Sequence, residues 1–436
     1  MVLDDFQDIK KPNHIRNRDL SSKITMKKII FFFTILFQNM FISVYSQTVK
    51  PNFIGERHVI DSEILKEKRE ISIYLPENYE GSATDYPVLY ILDGQRYFLN
   101  GILYQNTLKW QEKTPDFIVV GVNTNNRKRR QLFLDDAKLF IDFLDKELIP
   151  YLDKDYRTSS KRYFFGWEMA GGLAIELLTQ PIDMFSAYFI ASPTHITNKR
   201  LRALSEKLIS NANTKAFLYF ALSPSEDWAM ESVVELKKIL EENLSHNVNW
   251  KYESLKDENH HSTPTLTMHK GLNAYFHDYP YVRFKTLDEF NTFGGMPSLK
   301  AHYQKRGEKY NTSKGIHKST KHFLFLQAMK EDDFKSFEFF MEEFKDYYKS
   351  KTRDLWFNRY AQFYLRHQKP NEAMEILNAG LGKFQDSSLI MGSLGDTFMQ
   401  KRDKKMAKEY YKKAIDLASK NGDKNIEAYK AKWKQI

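Results

Sequence analysis

The chain has 436 residues, of which 42% are hydrophobic and 15% aromatic, enough for two domains with buried cores and too apolar for wholesale disorder. It contains no cysteine, which excludes disulfides, thiolate metal sites, a cysteine nucleophile and a lipid on an N-terminal cysteine. The formal charge is +10, but residues 1–46 hold seven Lys/Arg against four Asp and the remainder is spread mainly over the C-terminal part. A dispersed excess of that kind reads as a solvated surface, so no nucleic-acid partner is expected.

Export is the first expectation in chain order. Met26-Lys27-Lys28 forms a short basic region, Ile29 to Phe37 an apolar run, and Val44-Tyr45-Ser46 a tolerable cleavage site before Gln47. Gln38 and Asn39 interrupt the run, leaving it short of the ~20 apolar residues of a spanning helix. Residues 26–46 therefore read as a signal peptide, with 1–25 an upstream extension. No membrane span is expected after cleavage, and the mature chain is expected outside the cytoplasm, periplasmic or secreted.

From about Asn52 the pattern becomes β. Glu70 to Leu75 alternates polar and apolar, as a half-buried strand does, and Pro76 to Gly81 is turn chemistry. Val88 to Leu92 and Phe117 to Val122 are short, largely apolar runs, the signature of strands buried on both faces. Residues 134–151 switch to helical spacing and close at Pro150. Arg162 to Phe165, Phe185 to Ala191 and Ala216 to Leu222 read as further strands, with helices over Gly171 to Leu178 and 198–210. Strands alternating with helices predict a doubly wound α/β fold over residues 50–290, with its chemistry on the loops at the carboxyl ends of the strands.

Beyond Lys300 the β signal stops. Ala373 and Ala407 are 34 residues apart, and so are Ala361 and Gly395. Tyr360 with Leu394, Tyr364 with Phe398 and Leu377 with Tyr411 repeat at the same period, the spacing of a tetratricopeptide repeat, in which small residues let paired helices approach. Residues 321–347 read as a divergent first hairpin, so 300–436 is expected to be an all-α repeat domain offering a surface to a protein partner.

The stretch Tyr163-Phe164-Phe165-Gly166-Trp167-Glu168-Met169-Ala170-Gly171-Gly172-Leu173 has the framework of a nucleophile elbow, a strand, a tight turn and an apolar helix. In the motif G-x-S-x-G the turn residue is serine; here it is Glu168, and the last glycine is Ala170.

Taken together, YPVLYILDGQRYF, FIVVGVNTNNR, ELIPYLDKDYRT, the elbow, FSAYFIASP, Glu226 and ENHHSTP resemble the putative-esterase (enterochelin-esterase-like) family of α/β-hydrolases, and AHYQKRGEKYN leading into repeats is similar to its members with tetratricopeptide units. The resemblance implies an ester substrate or ester-like ligand and a triad made of the elbow residue (Glu168), an acid (Glu226, with Asp227 adjacent) and a histidine (His260). It implies an oxyanion hole from backbone N–H groups near Gly94-Gln95 and at Met169. Trp167 is either core or pocket wall. Ser192 lies in a Ser-Pro that the family shares, which makes it a poor replacement nucleophile. His260 and His261 lack the i, i+4 spacing of a helical zinc motif, and neither metal nor cofactor is expected.

Three departures point away from serine chemistry. The elbow residue is a carboxylate, a weak nucleophile toward an ester. The family's R-x-R-D is represented by Arg127-Lys128-Arg129-Arg130, with Arg130 where the acid is expected, and Leu132 to Asp136 joins this loop directly to the next helix without the usual polar insertion. The leading expectation is therefore a pseudoenzyme in which Glu168 faces His260 across the cleft and pairs with it. The alternatives are an active hydrolase working through Glu168 or another group, and a scaffold acting only through its repeats.

Overall fold

The computed structural model describes residues 54–436 apart from 125–126, 181–182, 211–214 and 243–247. The expected signal peptide lies outside the described residues. Eight strands form one sheet: β1 (Glu56–Ser62), β2 (Glu67–Tyr74), β3 (Tyr86–Leu92), β4 (Ile118–Val122), β5 (Thr158–Trp167), β6 (Ala187–Ala191), β7 (Ala216–Leu222) and β8 (Val248–Ser254). Their order is β1-β2-β4-β3-β5-β6-β7-β8. The β1–β2 and β2–β4 pairs are antiparallel, and every pair from β4 through β8 is parallel.

Period-two alternation divides the central strands between two cores. Val88, Tyr90 and Leu92 face the layer built from Ala137–Phe143, Ile149–Asp155, Met169–Leu178, Asn198–Ser210 and Asp227–Glu242. Leu89 and Ile91 face the opposite layer, formed by the helices Gly94–Trp110 and Thr263–Tyr275. Chain order reverses beside β3, where β4 lies on one side and β5 on the other. Ligand clefts of open α/β sheets form at such a reversal, outside the carboxyl ends of the strands.

The strands expected from sequence are present, β5 being longer than its apolar part. Two were not read: β1, and β8, whose residues alternate between exposed and half-buried at the sheet edge and include Asn249, Lys251 and Glu253. The segment 134–151 is helical, with five-residue π-helical turns at Gln131–Asp135 and Leu144–Leu148.

The C-terminal part is all helix from Leu287 to Lys434. Paired helices Asp354–Arg366 with Pro370–Leu381, and Ser388–Gln400 with Lys404–Asn421, realise the 34-residue period. Ala361, Ala373 and Ala407 are fully buried. A Cβ on Gly395 would lie 2.5 Å from Cε1 of Tyr411, so the ring of one helix occupies the space a side chain on the other would need. Residues 321–347 cover most of a hairpin of Lys318–Lys330 and Phe334–Glu343 and run into the 3-10 turn Lys345–Ser350.

Residues 54–436 form one compact unit. The passage from sheet to repeats is a packed joint, because the helix Gly295–Tyr310 serves both cores: Met296, Leu299 and Tyr303 belong to the repeat core, while Tyr310 packs with Tyr275 and Phe276. Phe284, Leu287 and Phe290 already belong to the repeat core, so that core begins before residue 300. Lys309 pairs with Asp278 at 2.9 Å across the same joint.

Candidate active site

The site is assembled from loops at the carboxyl edge of the sheet. Glu168 sits between β5 and the helix Met169–Leu178 with φ 58° and ψ −118°, outside the regions an L-residue normally occupies. The strain is held by neighbours that leave no room for side chains. A Cβ on Gly166 would lie 2.7 Å from the Ala170 carbonyl oxygen, and one on Gly172 2.1 Å from that of Thr194. The Glu168 carbonyl accepts N–H bonds from Gly171, Gly172 and Thr194 at 2.9, 3.2 and 3.1 Å.

The Glu168 carboxylate is paired with Arg129, and this corrects the sequence expectation that it would pair with His260. Arg129 comes from the loop after β4, is buried, and grips Asp93 with two parallel bonds, Nε to Oδ1 and Nη2 to Oδ2, both 2.9 Å. Its Nη2 also reaches the Trp167 carbonyl at 3.3 Å. Asp93, fully buried after β3, needs a cation because an isolated carboxylate there would be costly. The guanidinium that satisfies Asp93 has a remaining face, and the elbow carboxylate takes it. Arg130 points outward instead, with 63% of its side chain exposed and Asp135 3.7 Å away.

The acid–histidine pair is assembled as the resemblance implies. His260 Nδ1 lies 2.7 Å from Glu226 Oε1. Glu226 Oε2 accepts from the Ser223 N–H at 2.9 Å and from Ser192 Oγ at 2.8 Å. Burial pushes the Glu226 carboxyl up, but these bonds from His260, the Ser223 N–H and Ser192 outweigh it and hold the group below the ordinary glutamate range. Asp227 instead caps its own helix turn through the Trp228 N–H. Ser192 is fully buried behind the acid, and its hydroxyl is shared between Glu226 and Thr263.

Trp167 is a buried wall between the two halves. Its ring lies 5.1 Å from the Arg129 guanidinium and 4.9 Å from the His260 ring, and its Nε1 donates to the His260 carbonyl at 3.0 Å. The exposed Trp228 ring closes on the other side of His260 at 5.2 Å, and the His261 ring lies 6.0 Å from Trp167. Gln95 is clamped to Thr124 through Nε2 to O at 2.7 Å and N to Oε1 at 2.9 Å, tying the Gly94 turn to the loop after β4. Gly94 must lack a side chain, since a Cβ would meet Gly121 at 2.6 Å. Gly94, Gln95 and Met169 lie in the first turns of their helices, where N–H groups have no intrahelical acceptor.

Two residues were missed. Arg129 was read only as part of a basic run, and the buried Asp93 that draws it inward was not recognised as its partner. His195, on the loop after β6, stands where Glu168 and Arg129 both act on it. Burial lowers its pKa, Glu168 opposes that, and Arg130, Arg200 and Arg129 add to it. Its place at the carboxyl edge of β6 was the available signal. Among the described residues no three His, Asp or Glu converge on a metal position, and no helix is long and apolar enough to cross a membrane.

This sheet, elbow and acid–histidine pair define an α/β-hydrolase-fold protein. Residues 62–263 match the model of the putative-esterase family and residues 390–421 that of a tetratricopeptide repeat. An IroE-like serine hydrolase from Shewanella oneidensis superposes with a TM-score of 0.53 at 20% identity, covering 66% of this chain and 99% of that one. An uncharacterised protein from Capnocytophaga ochracea DSM 7271 gives 0.54 at 16% identity, covering 86% of this chain and 99% of the other. These likenesses show the fold. The uncharacterized protein YbbA of Bacillus subtilis (strain 168) is 23% identical over 133 residues, 27% of this chain, and the match spans 53% of that relative's length.

Proposed function

We propose that this protein is an exported esterase homologue in which Glu168 has replaced the nucleophilic serine, so that it binds an ester-like ligand without hydrolysing it and uses its helical repeats to engage a protein partner. The observation that carries the reading is the Asp93–Arg129–Glu168 relay. The Glu168 carboxylate is held by the Arg129 guanidinium, so it is turned to the fold rather than free to attack a bound ester. His260 retains its acid partner but has no hydroxyl to deprotonate at the elbow. Export rests on the 26–46 pattern alone, and the partner on the repeats. The second reading, a hydrolase working through Glu168 or another group, draws its support from the intact Glu226–His260 pair.

Labelling of the purified protein with a fluorophosphonate, together with turnover of short p-nitrophenyl esters, separates the two. The proposal expects no serine adduct and no turnover above buffer. A stoichiometric serine adduct, or wild-type turnover that Glu168→Ser abolishes, would overturn it. N-terminal sequencing of protein recovered from the periplasm or medium tests the location: a new N-terminus near Gln47 is expected, and a retained 26–46 segment contradicts it.

A further inference from the structure

The helix Gly94–Trp110 is apolar on two opposite faces, and only one of them is packed. Tyr97, Gly101 and Leu108 are buried against the sheet, and Gly101 lies so close to Ile91 that a Cβ there would overlap its side chain. At 3.6 residues per turn, Leu99, Leu103, Asn106 and Trp110 fall within about 60° of one another on the outward side. That ridge is open: Leu99 is 60% exposed, Leu103 55% and Trp110 85%. A surface helix ordinarily carries charged and polar residues opposite its buried face. Apolar residues scattered singly over a surface need no account, whereas three large ones in line on one ridge do.

The charge around the ridge is one-sided. The helix contains no Asp or Glu, while Arg96 in its first turn and Lys113 just past its end are exposed. Lys109 is neutralised by Asp116 at 2.9 Å. Glu112, the first acid after the helix, lines a separate cleft with Tyr281 and Arg306. The ridge also starts at the candidate site, since the Arg96 guanidinium lies 5.3 Å from the Trp167 ring that packs on His260.

We infer that this ridge is where the protein rests on an anionic lipid surface, with Leu99, Leu103 and Trp110 entering the boundary between headgroups and acyl chains and with Arg96 and Lys113 facing the headgroups. An indole suits that boundary, having an apolar ring and one polar N–H. A helix lying in the plane of a membrane shows the same division, an apolar stripe flanked by Lys or Arg. Three side chains on one ridge fall well short of the ~800 Å² that each partner brings to a stable protein interface, so a second copy of the chain fits the ridge less well. This attachment lies on the membrane without crossing it, and it sets the cleft at Trp167 and His260 beside the lipid.

Flotation of the chain beginning at Gln47 with vesicles of equal parts phosphatidylcholine and phosphatidylglycerol tests this. Starting there removes the apolar run of 26–46, which would insert by itself, and keeps the compact unit of residues 54–436 whole. Saturable binding is expected, weaker by ~10-fold or more on phosphatidylcholine alone. Leu99→Ser/Leu103→Ser/Trp110→Ser should weaken it by ~10-fold or more, and Trp110→Ser alone by part of that, so the single variant keeps the test open if the triple one fails to fold. Ile209→Ser, which changes a side chain 69% exposed on the opposite layer, should leave binding unchanged. The inference falls if the wild type does not float with the vesicles, if both lipid compositions bind it alike, or if the ridge variants bind as the wild type does. A concentration-dependent dimer in sedimentation that the triple variant abolishes would assign the ridge to a second copy and overturn it as well. Flotation is independent of whether the cleft hydrolyses esters.

Discussion

On the His260 side of the cleft a buried carboxylate, Glu226, is aimed at an imidazole; on the elbow side a buried guanidinium, Arg129, is aimed at a carboxylate, Glu168. In the first half the pairing engages His260 through Nδ1, which leaves Nε2 on the far side of the ring from Glu226. In the second half the pairing occupies the residue that would have to receive the substrate. The two halves share the Trp167 ring, which contacts both Arg129 and His260. The difference teaches that an acid–histidine pair can stand beside an elbow whose carboxylate is tied to the fold: Arg129 answers to Asp93 first and to Glu168 second.

That comparison breaks most visibly at Arg129. Replacing it with Met strands the fully buried Asp93, and removal of one partner from a buried ion pair costs about 3–5 kcal/mol. Urea unfolding measures this, and adding Asp93→Asn to the variant should restore part of the loss. A cost under about 1 kcal/mol would show that the guanidinium does not tie the elbow.

The other half responds to acid. Glu226→Gln should cost about 1.5–3 kcal/mol near neutral pH, because the charged acceptor of three hydrogen bonds is lost. Since the folded carboxyl ionises below its unfolded value, its contribution is full above about pH 4.3 and is lost as pH falls through the folded value. The gap between wild type and Glu226→Gln should therefore close below about pH 4 in denaturant titrations. A gap that widens on acidification would contradict the assignment. Ser192→Ala, which removes one donor to the same carboxylate, should cost only about 0.5–1.5 kcal/mol by the same measurement.

Much of this was legible in the residues. The parallel strands announce themselves as apolar runs, the repeats as a 34-residue period with small residues at close contacts, and the elbow as Gly166 to Gly172. Glu226 and His260 meet where the resemblance places them. The partner of Glu168 was not legible, because its choice depends on the burial of Asp93, some 75 residues away, and on a loop in which one of four adjacent basic residues turns inward. Local pattern reports neither. The edge strand β8 was missed for a related reason: half-exposed Lys and Glu hide its alternation. Nor did the pattern reveal that the helix Gly295–Tyr310 joins two cores, since its buried positions divide between partners on different sides.

The central claim is that the dyad is competent and the elbow is not. The most direct measurement is the turnover of p-nitrophenyl butyrate by wild type, Glu168→Ser and Glu168→Ser/His260→Ala at equal concentration. The account predicts no turnover above buffer for wild type, measurable turnover for Glu168→Ser as the restored hydroxyl meets His260, and loss of that activity in the double variant. Turnover by wild type that Glu168→Ser abolishes would contradict it and make Glu168 itself the reacting group.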